Sequence, residues 1–253
     1  MFTRAIVRIP GNSLTQGLTT ANLGQPDPEK ARIQHQQYIE ALQQCGLEVT
    51  TLPPDEAYPD SCFVEDPAVL TERCAIITRP GAPSRRGEVP RIRKALDEFY
   101  ECRRSIAAPG TLEGGDVMRV EDHFYIGLST RTNPEGARQL IQILDEFGYS
   151  GETVPLQEMF HLKSGVVYLE DNTLVTAGEF QNHPAWAGRR EIQVPPKEEY
   201  AANCIRVNEF VLVAAGFPQT REYIQHAGFQ IIELDTSEFR KVDGGLSCLS
   251  LRF

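Results

Sequence analysis

The chain has 253 residues, of which 41% are hydrophobic and 24% are charged, a composition typical of a folded globular protein. Acidic residues outnumber basic residues 35 to 25, and the net charge of −10 argues against nucleic acid as a partner. The N-terminal segment lacks the pattern of a signal peptide, and the longest apolar run, 210–217, is too short to cross a membrane. We therefore expect a cytoplasmic protein with a single domain, residues 1–253.

The cysteine pattern gives no sign of a disulfide framework or a zinc site. No pair forms Cys-x-x-Cys, and the spacings between the six cysteines are irregular. We expect free thiols that are mostly buried, with at most one or two of them reactive. The sequence also lacks a phosphate-binding loop and a glycine-rich dinucleotide motif, so neither a metal nor an organic cofactor is expected. The cysteines are Cys45, Cys62, Cys74, Cys102, Cys204 and Cys248.

Taken in chain order, the elements repeat a plan of hairpin, helix and strand. The chain starts with a predicted strand at 2–9, a helix at 28–45 and a strand at 47–52. Four hairpins with polar turns and closing glycines then follow, at 68–81, 116–127, 166–178 and 204–216. Helical spacing predicts helices at 90–100, 134–147 and 220–227, whereas 181–188 fits a helix poorly. Single strands are predicted at 230–234 and 245–253.

The two ends of the chain supply the parts that a further unit would need. If the first and last strands pair, the chain divides into five units of about 50 residues, a period typical of closed, propeller-like arrays. Pairing the terminal strands would also protect the exposed edges. We predict an α/β fold arranged as a five-unit ring. The alternative is an ordinary α/β sandwich whose spacing is accidental.

Residues that enter each hairpin would lie near the axis of such a ring. Asp66, Glu113, His161 and Asn203 occupy this position, and the last unit contributes Cys248. Taken alone, each fits a structural role, as a turn residue, a hydrogen-bonded polar group or a buried thiol. Their shared position in the repeat predicts a single site, in which Asn203 is assigned no role.

The residue types in this site indicate a specific chemistry. A thiolate is a good nucleophile, and a nearby histidine can transfer protons to a leaving group and from water. Two adjacent carboxylates are costly unless a cation lies between them, and a planar guanidinium donates paired hydrogen bonds to carboxylates. Together these groups predict attack on the carbon of a guanidinium or amidinium group.

Short motifs in a fixed order carry a family resemblance. The sequence resembles dimethylarginine dimethylaminohydrolase over essentially its whole length. That family belongs to the guanidine-modifying superfamily, whose fold is the five-bladed α/β-propeller called the pentein fold. The resemblance implies hydrolysis of Nω-methylated arginines to citrulline plus dimethylamine or methylamine. The motifs are FVEDP (63–67), RRGE (85–88), LEGGD (112–116), HLKSG (161–165), YAANC (200–204) and DGGLSCLSLRF (243–253).

The resemblance also implies a role for each member of the site. Cys248 would form a covalent thiouronium intermediate, with His161 as general acid and base. Glu113 and Asp66 would hold the guanidinium nitrogens. Arg85 and Arg131 would bind the α-carboxylate, a task suited to a fork-shaped donor. The contacts implied for the α-amino group are Asp60 and the carbonyl of Leu18, and further lining residues are Glu65 and the backbone at Val242.

Several alternatives remain open at this point. An arginine deiminase would share the site and release ammonia, although five short units leave no room for the helical insertion of those enzymes. An amidinotransferase, a methylarginine-binding protein without turnover and a non-catalytic pentein protein that acts on ribosomes are also considered. The expected partner is a small cationic amino acid, and a homodimer is compatible with the sequence. The loop 11–18 has glycines near both ends, as in a lid or an ordinary surface loop.

Overall fold

The computed structural model describes residues 1–253 and contains five β-sheets of three strands each. No helix combines the length and the apolar character that crossing a membrane requires. The strands are β1 (Arg4–Arg8), β2 (Glu48–Leu52), β3 (Ala68–Leu70), β4 (Ala75–Ile77), β5 (Arg103–Ser105), β6 (Val117–Val120), β7 (His123–Leu128), β8 (Ser150–Pro155), β9 (Val166–Glu170), β10 (Thr173–Thr176), β11 (Arg190–Gln193), β12 (Ile205–Val207), β13 (Phe210–Ala214), β14 (Gln230–Leu234) and β15 (Leu251–Arg252).

All five sheets share one pattern of pairing. The middle strand is antiparallel to one neighbour and parallel to the other. Four sheets take three consecutive strands, β3 to β5, β6 to β8, β9 to β11 and β12 to β14. In the remaining sheet β1 lies between β15 and β2, so the two ends of the chain pair with each other as predicted.

Six α-helical segments connect the strands, and the longest begin at recognisable caps. The Asp27 carboxylate accepts the amides of Glu29 and Lys30, and the Asn133 side chain accepts the amide of Gly136. Proline follows each of these caps, where its fixed φ suits the first turn of a helix. The helices are α1 (Pro28–Gln44), α2 (Val89–Leu96), α3 (Pro134–Glu146), α4 (Leu162–Gly165), α5 (Pro218–His226) and α6 (Ser237–Arg240).

The four predicted hairpins are present, and their turns explain why they could be recognised. Glu121 has φ of 56°, Asp171 and Asn172 have φ of 49° and 56°, and Asn208 has φ of 54°. These values lie in the left-handed region that tight hairpin turns require, where Asn and Asp are better tolerated than most residues. The polar turn residues in the sequence therefore mark the corners of the hairpins.

The hydrophobic core consists of five clusters, and each cluster contains residues from two sheets that follow one another in the chain. Alternate side chains of a strand point to opposite faces of its sheet, so every sheet contributes to two clusters. In β4, for example, Ala75 and Ile77 pack in the cluster shared with β1, whereas Ile76 packs in the cluster shared with β6 and β7. The largest cluster joins the sheet of β12 to β14 with the sheet of β1.

Three predicted elements differ from the structure. The helix predicted at 90–100 is the shorter α2. The segment 181–188 contains only a 3₁₀ turn at Pro184–Trp186, because Trp186 is buried with its indole N–H donated to the carbonyl of Phe180. The strand predicted at 245–253 is wrong over most of its length. Residues Ser247–Leu249 form a 3₁₀ turn and only Leu251–Arg252 is a strand.

Candidate active site

The turn Ser247–Leu249 carries Cys248 and is fixed by the side chain of Asn203, which lies just before β12. The Asn203 carboxamide oxygen accepts the amide of Ser247 at 3.0 Å, and its nitrogen donates to the Ser247 hydroxyl at 3.1 Å. The same nitrogen donates to the carbonyl of Lys163. Asn203 therefore joins the turn that bears Cys248 to α4, which follows His161 directly, and this is a structural role.

His161 and Glu113 form a hydrogen-bonded pair. The distance from His161 Nε2 to Glu113 Oε2 is 2.9 Å, and both residues are buried. The other carboxylate oxygen of Glu113 accepts the amide of Ala82 at 3.2 Å and lies 3.6 Å from Arg131 Nη1. Glu113 thus orients the imidazole from one side while its second oxygen is held by the backbone.

Asp116 lies behind this pair and was not identified from the sequence. Its carboxylate is completely buried, accepts the amide of Leu162 at 3.0 Å and accepts the hydroxyl of Ser129 at 2.6 Å. Leu162 follows His161 in the chain, so Asp116 anchors the backbone at the start of α4. Asp116 does not line the pocket that contains Cys248.

Asp66 forms a buried ion pair with Arg85. One oxygen of the Asp66 carboxylate accepts from Arg85, and the other accepts the amide of Gly115 at 2.9 Å. The Arg85 guanidinium also donates to both oxygens of Glu88 and to the carbonyls of Asp60 and Phe63. Each nitrogen of this guanidinium therefore has at least one protein acceptor.

These surroundings change the ionisation of the two reactive groups. Burial opposes a charge on the His161 ring, but the carboxylates of Asp116, Asp66 and Glu113 outweigh burial and raise the pKa of His161 to about 9. Burial, together with the negative charges of Glu65 and Asp66, raises the pKa of Cys248 to about 12. Without a ligand, the site is therefore expected to hold a protonated imidazole beside a neutral thiol at pH 7.

The structure brings nearly all of the predicted site residues to one pocket. Sequence reasoning missed four further lining residues, among them two aromatic rings. Phe160 is visible in the sequence beside His161, and its ring stacks under the Arg131 guanidinium at 4.9 Å. The predicted residues in the pocket are Leu18, Asp60, Asp66, Arg85, Glu113, Arg131, His161, Val242 and Cys248, and the missed ones are Phe63, Phe160, Asp243 and Gly244.

Glu65 is the exception, because its side chain does not line this pocket. Its carboxylate pairs with Lys163 and lies 3.6 Å from Arg252. All three residues line a separate and larger cavity of about 1060 Å³. Glu65 and Asp66 are consecutive residues of a turn, and the Asp66 side chain faces the pocket whereas the Glu65 side chain faces the larger cavity. Only the Glu65 amide reaches the site, donating to the carbonyl of Cys248 at 3.2 Å.

The far end of the pocket is formed by Leu18, at the end of loop 11–18. A 3₁₀ turn occupies Asn12–Gln16, and the Glu56 carboxylate accepts the amides of Asn12 and Ser13. The Asp60 carboxylate accepts the amide of Leu18 at 3.0 Å. Two of the groups implied for the α-amino contact are therefore in direct contact with each other.

One set of side chains in the pocket has the donor atoms of a metal site. Asp66, Glu113 and His161 present oxygen and nitrogen atoms that all lie within 4.8 Å of one another. Such a set could coordinate a divalent cation. However, these side chains already pair among themselves and with Arg85, so a metal ion would have to compete with the existing hydrogen bonds.

Comparison with known proteins identifies the family. The family model described as N,N dimethylarginine dimethylhydrolase, eukaryotic, matches residues 19–180. The N(G),N(G)-dimethylarginine dimethylaminohydrolase of Pseudomonas aeruginosa is 56% identical over 100% of both chains. A crystal structure of the Pseudomonas aeruginosa enzyme, a cysteine-to-serine variant complexed with citrulline, matches with a TM-score of 0.99 at 56% identity over 100% of both chains. A histidine-to-glycine variant with an S-methyl-L-thiocitrulline adduct matches equally well, with a TM-score of 0.99, 56% identity and the same coverage. The chain therefore belongs to the dimethylarginine dimethylaminohydrolase family.

Proposed function

We propose that this protein hydrolyses Nω-methylated arginines, both asymmetric dimethylarginine and monomethylarginine, to citrulline and dimethylamine or methylamine. The observation that carries the proposal is one pocket in which Cys248, the His161–Glu113 pair and Asp66 converge. A thiol, a proton donor and two carboxylates are the groups that substitution at a guanidinium carbon needs. Family membership supports the same reaction.

The first half of the reaction uses Cys248 and His161. The Cys248 sulfur attacks the guanidinium carbon and forms a C–S bond while the thiol proton passes to solvent. His161, charged because its pKa is raised to about 9, donates a proton to the methylated nitrogen. The C–N bond then breaks, dimethylamine or methylamine departs, and a thiouronium remains on Cys248.

The second half regenerates the enzyme. His161, now neutral, takes a proton from a water molecule as the water oxygen attacks the thiouronium carbon. The C–S bond breaks, the sulfur takes up the proton that the added hydroxyl group loses, and the urea group of citrulline is formed. Asp66 and Glu113 hold the guanidinium nitrogens throughout, because their carboxylates face the same pocket as the sulfur.

The amino-acid end of the substrate lies toward Asp60, Leu18 and Arg131 in this proposal. The Asp60 carboxylate and the Leu18 carbonyl bind the α-amino group. Arg131 binds the α-carboxylate, since its guanidinium is 16% exposed and its nearest acid, Glu113, is 3.6 Å away. Arg85, whose donors are occupied by protein groups, acts chiefly by fixing Asp66. Val242 lines the pocket beside these groups.

The architecture behind this site is a five-bladed α/β ring of the pentein type, formed by a single domain of residues 1–253. Two observations support the ring: β15 pairs with β1, and each hydrophobic cluster joins successive sheets, with the largest joining the last sheet to the first. The homodimer that the sequence allows stays a prediction. A cytoplasmic location stays a prediction.

A product assay tests the function. Purified protein receives Nω,Nω-dimethylarginine or arginine, and citrulline, dimethylamine and ammonia are quantified. We expect citrulline and dimethylamine, loss of both in Cys248→Ser, and full activity in Cys45→Ser, whose buried thiol lies outside the pocket. Ammonia from arginine at the higher kcat/KM would assign the protein to the deiminases instead. Absence of product from either compound would favour a binding protein.

A further inference from the structure

Two cysteines outside the pocket lie close enough to react with each other. The Sγ atoms of Cys74 and Cys102 are 3.0 Å apart. Cys74 directly precedes β4 and Cys102 directly precedes β5, and the parallel register pairs Ala75 with Arg103. The two cysteines therefore lie side by side on adjacent strands. Adjacent strands are about 4.8 Å apart. This spacing falls within the range of about 4.4–6.8 Å between Cα atoms that a disulfide requires.

The two thiols differ in access and environment. Cys74 is fully buried, and burial raises the pKa of its thiol. Cys102 is partly exposed and lines the larger cavity, so a small oxidant can reach its sulfur. The Arg104 Nη1 donates to Cys102 Sγ at 3.6 Å. Cys102 is therefore the thiol that reacts first.

We propose that Cys74 and Cys102 form a reversible oxidation site that a hydroperoxide converts to a disulfide. In the first step the Cys102 thiolate attacks the peroxide, so an S–O bond forms and the O–O bond breaks. With hydrogen peroxide, the departing oxygen leaves as water. In the second step the Cys74 sulfur loses its proton and attacks the Cys102 sulfenic acid. The S–S bond forms, the S–O bond breaks and a second water leaves. A dithiol reductant reverses the reaction.

The disulfide would close the segment between β4 and β5. This segment contains α2 and the 3₁₀ turn Pro83–Glu88, from which Arg85 reaches Asp66. A cross-link that closes the segment from Cys74 to Cys102 should raise the Tm of the oxidised protein by roughly 5–15 °C. The other end of β4 reaches the pocket, where the Thr78 hydroxyl donates to the Asp66 carbonyl. The cross-link therefore lies at the end of the strand remote from the site.

The test uses the full chain carrying Cys248→Ser, so that oxidation of the nucleophile cannot interfere. The protein is treated with hydrogen peroxide, quenched, alkylated and digested, and the peptides are mapped by mass spectrometry before and after reduction. We expect a Cys74–Cys102 linked peptide that forms with loss of two hydrogen atoms, and a Tm that rises and returns with dithiothreitol. Adding Cys102→Ser should abolish both changes. Sulfinic acid at Cys102 without the linked peptide, or a linked peptide without a change in Tm, would overturn the proposal.

Discussion

Replacement of Asp116 by asparagine tests whether a carboxylate outside the pocket sets the charge of His161. Asparagine has nearly the same shape, and its carboxamide oxygen can still accept the amide of Leu162. The negative charge is lost while the residues that line the pocket are unchanged. Asp116→Asn should therefore change the protonation of His161 without removing a predicted substrate contact.

The size of the effect follows from the pKa of His161. The surroundings raise this pKa from 6.5 to about 9, which at about 1.4 kcal/mol per unit is roughly 3 kcal/mol in favour of the imidazolium. Three carboxylates produce this gain, and Asp116 contributes the largest favourable part. Loss of the Asp116 charge should remove at least a third of the rise in the His161 pKa, which is about one pKa unit. His161 should then titrate near pH 8 or below.

Two measurements check this prediction. Proton–carbon NMR of labelled histidine in Cys248→Ser protein follows the titration of His161, and the pH dependence of kcat/KM follows catalysis. Because the acid is the protonated imidazole, activity falls above its pKa, and in Asp116→Asn that fall should occur about one unit lower. Asp122→Asn, with a side chain 82% exposed, is the matched control. An unchanged His161 titration in folded Asp116→Asn would refute the electrostatic reasoning.

Three further predictions concern the pocket, the pH dependence of stability and the core. A methyl group at Gly115 would lie 2.6 Å from His161 Nδ1 and would displace the imidazole. Gly115→Ala should therefore lower kcat at least tenfold while the circular dichroism spectrum stays unchanged. Gly151→Ala serves as the control. The raised pKa of His161 stabilises the fold below pH 6.5, and this stabilisation is lost as the pH rises through about 9. The difference in unfolding free energy between wild type and His161→Gln, measured by urea titration, should therefore shrink by roughly 3 kcal/mol between pH 6 and 10. Phe180 is fully buried against Trp186, so Phe180→Ala should cost about 3–5 kcal/mol, seen as a lower urea midpoint.

The sequence predicted most of the fold because hairpins are local. Each of the four hairpins needs only a short apolar run, a polar turn and a second run, and all of these are contiguous in the chain. The C-terminal segment failed because a distant residue determines it. Ser247 is held by the Asn203 carboxamide, and this contact bends 247–249 into a turn that local propensity does not indicate.

The site was predictable to the extent that it follows the repeat. Asp66, Glu113 and His161 enter their hairpins at equivalent positions, so one argument located them together. Asp116 is visible in the same motif as Glu113, but its role depends on the amide of Leu162 from the next unit. The burial of Arg85 likewise depends on Glu88 and on carbonyl groups that only the folded chain brings near.

The carboxylates give the site a preference for a cation before any substrate contact is considered. Asp66 contributes to raising the pKa of both His161 and Cys248, so the same negative field favours the charged imidazole and disfavours the thiolate. A guanidinium placed between Asp66 and Glu113 offsets that field at the sulfur and lowers the cost of forming the thiolate. A neutral urea cannot do so, and the product citrulline therefore leaves a site in which the thiol is again the stable form. Alkylation of Cys248 by iodoacetamide can be compared with two bound ligands, citrulline and an unreactive guanidinium compound that is small enough to leave the sulfur accessible. Alkylation should be faster with the guanidinium compound bound than with citrulline bound.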